Sequence, residues 1–194
     1  MSQNQTIAFI KAFLRNPTKV GAIAPSSPSL ARAMVQGLKN TDQGGIIEFG
    51  PGTGPFTNEI AKILTHPSHY FAIERDPQFV AILKKRFPQL NIIQDSAEKA
   101  YQHFNDSKIQ KLQAVLCGLP FASLPHTVQD AIIKTIDQLI TPGVEFRTFQ
   151  YVHAYPLPAA IRFRKRMAQL FGPHQKSKMI LKNLPPCYVL KWTR

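Results

Sequence analysis

The residues Glu48-Phe49-Gly50-Pro51-Gly52-Thr53-Gly54 stand between an apolar run of strand length and a helical pattern. Alternate glycines let a backbone turn sharply and approach a ligand with no Cβ in the way. Such a loop alone fits a dinucleotide site or a plain tight turn. Dinucleotide loops, however, favour Gly-x-Gly-x-x-Gly/Ala, whereas here Gly50, Gly52 and Gly54 are followed by Pro55. Glu48, just ahead of the loop, would repel a pyrophosphate and suit an amino-acid ammonium. Two more acids follow at strand ends. Glu74 lies 20 residues past Gly54, where a carboxylate can accept both hydroxyls of a ribose. Asp95, with Ser96 and Ala97, can take an adenine amino group on its side chain and the ring on its backbone. Each acid alone reads equally well as a helix cap or a solvated residue. Together, sites for an ammonium, a ribose and an adenine fit S-adenosylmethionine, with S-adenosylhomocysteine as product.

The elements that must carry these residues are legible as periodicity. Apolar runs recur at Gly45 to Phe49, Tyr70 to Glu74, Leu90 to Asp95, Leu112 to Cys117 and Val144 to Tyr151. Helical spacing falls at Thr57 to Leu64, Pro77 to Arg86 and, with a clear i, i+3, i+4 pattern, Thr127 to Ile140. This alternation implies a parallel sheet with helices on both faces. Lys178 to Leu181 and Tyr188 to Trp192 flank Asn183-Leu184-Pro185-Pro186 with no room for a helix. They predict an antiparallel hairpin at the sheet edge, which separates methyltransferase sheets from most dinucleotide-binding ones. The expected class is α/β: a Rossmann-like class I methyltransferase domain over residues 41–194, with a seven-stranded, mostly parallel sheet. Residues 1–40 form a helical extension serving as lid or membrane contact. In it Ile7, Ile10, Phe13 and Leu14 share one face opposite Lys11 and Arg15, until Pro17 stops the pattern. Ser27 or Ser29 caps a second helix through Gly37, with Pro28 tolerated in its first turn.

Composition narrows the partners. With 24 Lys and Arg against 11 Asp and Glu among 194 residues, the formal net charge is +13. That favours polyanions, either nucleic acid or the anionic cytoplasmic face of a membrane. The length suits one domain that buries a sufficient core without staples. Cys117 and Cys187 stand far apart with no CxxC or Cys/His cluster. A disulfide framework and a zinc site are therefore not indicated, no metal is expected, and reduced thiols in the cytoplasm are the plain reading. Lys11 and Arg15 interrupt the one run that could act as a signal peptide. No stretch approaches the ~20 apolar residues that span a bilayer, so any membrane association is expected to be peripheral.

Across nearly the whole chain the sequence resembles the soluble bacterial phosphatidylethanolamine N-methyltransferases of the PmtA-like kind, related in fold to the rRNA adenine dimethyltransferases. The resemblance rests on Asn16-Pro17, Val20-Gly21-Ala22-Ile23-Ala24-Pro25-Ser26-Ser27, the glycine loop, Glu74-Arg75, Asp95-Ser96-Ala97, Gly118-Leu119-Pro120-Phe121 and Asn183-Leu184-Pro185-Pro186. It implies a cofactor site of Glu48, Gly50, Pro51, Gly52, Thr53, Gly54, Glu74, Arg75, Asp95, Ser96, Ala97 and Gly118. It also implies an acceptor entrance shaped by Leu119, Pro120 and Phe121. Tyr151 either lines a headgroup pocket or simply packs, with His153 and Tyr155 as weaker candidates. Arg162 or Arg166 either holds a lipid phosphate bidentately or belongs to a solvated face. Ser26 and Ser27, with the apolar face Ile7, Ile10, Phe13 and Leu14, belong to the substrate and membrane side. That face either inserts at the interface or docks on the protein's own core. The expectation is a monomeric, cytoplasmic enzyme, peripheral on the inner face of the membrane, that methylates a phospholipid headgroup amine. The alternatives are a nucleic-acid adenine methyltransferase and a non-catalytic basic binding module on the same fold. Adenine enzymes carry Asn-Leu-Pro-Tyr where this chain has Gly118-Leu119-Pro120-Phe121, and Gly118 removes the side chain that accepts from the exocyclic amine.

Overall fold

The computed structural model describes residues 26–121 and 124–194. Seven strands form one sheet in the order β3-β2-β1-β4-β5-β7-β6. They are β1 (Gly45–Phe49), β2 (Tyr70–Glu74), β3 (Asn91–Gln94), β4 (Leu112–Cys117), β5 (Glu145–Tyr151), β6 (Gln175–Lys176) and β7 (Cys187–Thr193). Strands β1 to β5 run parallel, and β7 is antiparallel to both β5 and β6. The expected Rossmann-like methyltransferase sheet is therefore present. Strands β1 and β2 are buried along their whole length, as the continuous apolar runs require of strands covered on both faces.

Side chains alternate across the sheet and divide the core in two. Ile47, Phe49, Val115, Cys117 and Phe146 face helices α4 (Ala100–Asn105), α5 (His126–Leu139) and α6 (Pro158–Phe171). Ile46, Tyr70, Ala72, Ala114 and Leu116 face α1 (Pro28–Val35), α2 (Pro55–Ile60) and α3 (Pro77–Arg86). Helix α6 carries the candidates Arg162 and Arg166 on its exposed side. Its other face, Ala160, Phe163, Met167 and Phe171, is buried at helical spacing.

Helix α1 packs into the same core as the sheet, with Leu30 and Met34 fully buried. Arg147, 4% exposed, closes its far end by donating to the carbonyls of Met34 at 2.9 Å and Gln36 at 2.8 Å, and Glu145 is its counter-charge. Its first turn is capped by Ser27, whose Oγ accepts from the Leu30 amide at 3.1 Å. Ser27→Ala is expected to cost about 1 kcal/mol, read as a lower midpoint in chemical denaturation. The N-terminal helix expected from Ile7, Ile10, Phe13 and Leu14 lies outside the described residues.

The C-terminal hairpin differs from the sequence expectation. β7 pairs with Gln175–Lys176, not with the run Lys178 to Leu181, which contributes a single bridge from Ile180 to Cys187. The physical reason is exposure: Met179 and Leu181 face solvent, so an apolar run that reads as an edge strand is a loop. Among the described residues no helix is long and apolar enough to cross a membrane.

Candidate active site

The carboxyl ends of β1, β2, β3 and β4 converge on one edge, the usual place for ligands in open parallel sheets. The glycine loop leaves β1 there, with Gly50, Gly52 and Gly54 all at positive φ, +64°, +57° and +85°. A Cβ on Gly52 would meet nothing within 4 Å, so the loop presents bare backbone to open space. Arg86 of α3 donates to the Thr53 carbonyl and steadies the loop from outside.

Glu48 lies beneath the loop, fully buried. Its Oε2 accepts from the hydroxyls of Thr57 at 2.8 Å and Tyr70 at 2.6 Å, while Oε1 has no partner. Burial raises its carboxyl to about 7 against the opposing pull of those two hydroxyls. A carboxyl held above its usual 4.5 in the fold withdraws stability as pH rises through that window, and the loss is complete once it ionises in both states. Stability should therefore fall by up to about 3 kcal/mol between about pH 5 and 8, at ~1.4 kcal/mol per unit. Glu48→Gln should flatten that slope, as thermal melts at the two pH values would show.

Glu74 is 7% exposed. Its Oε1 accepts from the amides of Arg75 at 2.8 Å and Asp76 at 2.9 Å, and its Oε2 accepts from the Gly52 amide at 3.0 Å. Burial raises its pKa against those amides. A carboxylate offers about four acceptor positions. Three are taken here, so the arrangement leaves one for a ribose hydroxyl where the sequence reading assigned two. Arg75 enters through its backbone amide.

Asp95 follows β3 and is half-buried. Its Oδ1 accepts from the Ser96 amide at 2.8 Å and lies 3.2 Å from Lys99 Nζ, while Oδ2 pairs with His103 Nε2 at 2.9 Å. Burial pushes its pKa up, but His103, Ser96 and Lys99 together outweigh that, and the carboxyl is held low. The sequence reading missed Lys99 and His103, which follow Asp95 at four and eight residues on the short 3-10 turn Ala97–Lys99 and α4. Ala97 itself is buried.

Gly118 closes the site from β4. Its amide donates to the Phe49 carbonyl at 2.8 Å, and a Cβ there would come within 2.6 Å of the Gly50 carbonyl oxygen. A Cβ on Gly50 would in turn meet Leu119 at 2.5 Å. The glycine loop and the end of β4 therefore touch backbone to backbone. Leu119 and Pro120 are half-buried at this edge. Phe121 lies away from the expected acceptor entrance: it is 3% exposed, stacked on Phe163 at 4.3 Å and edge-on to Phe146. Its ring belongs to the core between α5 and α6, because an aromatic next to Pro120 gains more from that contact than from solvent.

Tyr151, at the end of β5, stacks on His153 at 5.7 Å and meets Phe149 edge-on. Burial pushes its phenol upward. Burial likewise lifts the thiols of Cys117 and Cys187 to about 12, so none of the three is a base near neutrality. Tyr155 packs under Arg164, whose guanidinium lies 3.7 Å from its ring. Arg162 sits one turn into α6, 2.8 Å from His126 at the start of α5, at the acceptor edge. Arg166 lies a turn further on, in an exposed pair 3.9 Å from Asp130. Ser26 and Ser27 are half-buried, and the Ser27 amide donates to Asn183 Oδ1 at 2.9 Å. The two motifs that flank the chain thus meet.

These groups fit S-adenosylmethionine. An unpartnered buried oxygen on Glu48, open space over Gly52, and acceptor capacity on Glu74 and Asp95 match an ammonium, a close-lying chain, a ribose and an adenine in that order. Among the described residues no three His, Cys, Asp or Glu side chains gather as a metal site would require.

Residues 4–178 match the ribosomal RNA adenine dimethylase family. The chain is 26% identical over 181 residues to an ornithine lipid N-methyltransferase of Singulisphaera acidiphila, covering 92% of this chain and 90% of that one. It is 34% identical over 93 residues to ribosomal RNA small subunit methyltransferase A of Campylobacter jejuni, covering 45% of this chain and 32% of that one. The fold is similar to an O-methyltransferase from Bacillus cereus solved in complex with SAH, with a TM-score of 0.61 at 11% identity over 100% of this chain and 92% of that one.

Proposed function

The chain belongs to the ribosomal RNA adenine dimethylase family of S-adenosylmethionine-dependent methyltransferases, and from that premise we propose that its acceptor is the headgroup amine of a membrane lipid, phosphatidylethanolamine in the first instance. The observation that carries this reading is the likeness to the ornithine lipid enzyme along nearly the full length of both chains. The ribosomal RNA enzyme, by contrast, is matched over about a third of its length. Gly118 supports the reading. Its contact with Gly50 leaves no room for the Asn side chain that would bind an adenine amine.

The cofactor supplies an electrophilic methyl group, and the chain's residues supply position. Glu48, Glu74 and Asp95 hold the donor, while Gly118, Leu119 and Pro120 bound the path by which a neutral amine approaches in line. Proximity and orientation carry most of the rate. Arg162, at the same edge, is the cation suited to the lipid phosphate. In this reading the protein works at the cytoplasmic face of the membrane.

Methylation of ribosomal RNA is the second reading, favoured by the family match. Incubation with labelled cofactor and, separately, phosphatidylethanolamine vesicles, ornithine-lipid vesicles or ribosomal RNA decides between them. Label in lipid is expected, and label in RNA alone overturns the proposal.

A further inference from the structure

We propose that the loop from Ser177 to Pro186, between β6 and β7, is a docking element that seats on an anionic lipid surface through Met179, Leu181 and Leu184. The inference rests on the lipid reading of the active site and names the surface on which that site works.

Four observations carry it. First, Met179 is 42% exposed, Leu181 73% and Leu184 79%, three large aliphatic side chains within six residues. Singly exposed leucines are ordinary on soluble proteins, but a cluster on one loop marks a contact surface.

Second, the loop is anchored, so its leucines do not face outward for want of structure. The Ile180 amide donates to the Cys187 carbonyl at 2.8 Å, and Ser177 exchanges bonds with Val189. The Asn183 side chain, 2% exposed, accepts from the Ser27 amide and donates to the Pro185 carbonyl. The Val152 amide donates to the Pro186 carbonyl at 2.9 Å.

Third, Lys176, Lys178 and Lys182 flank the aliphatic side chains, all exposed. From residue 146 to 194 the chain carries 10 Lys and Arg and no Asp or Glu. Aliphatic side chains ringed by cations match a bilayer of anionic headgroups over acyl chains. A single-stranded RNA would instead call for open aromatic stacking surfaces among the cations, whereas the rings beside Lys176, those of Tyr155 and Tyr188, are half-buried against the core.

Fourth, the register Tyr151↔Cys187 puts the loop at the carboxyl end of β5. That is the edge where the glycine loop, Glu74, Asp95 and Gly118 lie. Leu157, 48% exposed, follows β5 at the same edge. A bilayer against this rim delivers a headgroup to the acceptor entrance without lifting the lipid out of the membrane.

The test uses the full chain and the double variant Leu181→Asp/Leu184→Asp. Both side chains are exposed, so thermal melts and cofactor affinity should match the parent. Sedimentation with vesicles of phosphatidylglycerol and phosphatidylethanolamine is expected to fall about tenfold or more, the scale of losing two inserted leucines. Methylation of those vesicles should fall with it, while methylation of a short-chain, water-soluble phosphatidylethanolamine stays at the parental rate. Lys178→Gln/Lys182→Gln should lower binding to anionic vesicles and leave the weaker binding to neutral ones unchanged. Parental sedimentation and vesicle methylation by the leucine variant would overturn the docking role. So would a parental dimer that the variant dissociates, or loss of RNA binding in place of vesicle binding. A parent that methylates neither lipid form would instead overturn the lipid reading of the active site, while the sedimentation comparison still reads the loop.

Discussion

Glu74→Ala will weaken S-adenosylmethionine binding by about two orders of magnitude or more, the largest loss expected of any single side-chain truncation in the site. In the site proposed above the carboxylate has two jobs. It keeps an acceptor position for a ribose hydroxyl, and hydrogen bonds to charged groups are worth about 1.5–3 kcal/mol each. It also holds the amides of Gly52, Arg75 and Asp76, so truncation frees the tip of the glycine loop as well as removing the ribose contact. The order of effects separates the two jobs. Glu74→Gln keeps an acceptor oxygen for Gly52 and should recover part of the affinity, whereas Glu74→Ala should recover none. Titration calorimetry with cofactor checks both, and parental affinity in the alanine variant would remove Glu74 from the site.

Gly118→Asn, the change toward the adenine-methylating motif, will lower methyl transfer about a hundredfold and gain no activity on RNA. Forcing a side chain into a filled space costs typically 1–3 kcal/mol, occasionally more. The atom in the way is the Gly50 carbonyl oxygen at 2.6 Å, backbone that cannot swing aside as a flexible side chain would. The displacement therefore falls on the glycine loop and on cofactor affinity. Gly118→Ala meets the same carbonyl and should share most of the loss, which separates crowding from any property of the amide group. A fully active asparagine variant, measured by labelled transfer to lipid vesicles, would refute the contact.

How much was legible beforehand follows from which signals are local. β1, β2, β4 and α3 have the bounds their runs imply, because a strand buried on both faces leaves an uninterrupted apolar stretch and a helix leaves its spacing. Glu74 and Asp95 were found as acids at strand ends. Lys99 and His103, which hold Asp95 low, were within a local window and went unread; Tyr70 was not, since it reaches Glu48 through pairing of β1 with β2, and pairing is not written in a local window. Helix α6 had its apolar stripe in view, overshadowed by the cations between. Phe121 was assigned by its place in a motif, and packing against Phe163 moved it to the core. The run Lys178 to Leu181 misled for the opposite reason: its apolarity was taken for a strand, and β7 pairs with Gln175–Lys176.

The bonds that seat α1 are long in sequence. Ser27 meets Asn183 across 156 positions, and the carbonyl of Met34 meets Arg147 across 113. Of the described helices it is the first to leave the ribosome, yet both of its anchors follow it by more than a hundred residues. Contacts so distant close late. Until β5 and the turn at Asn183 have emerged, α1 lacks the two bonds that fix its ends, and its packing with Phe56 and Ile60 of α2 is what covers Leu30 and Met34.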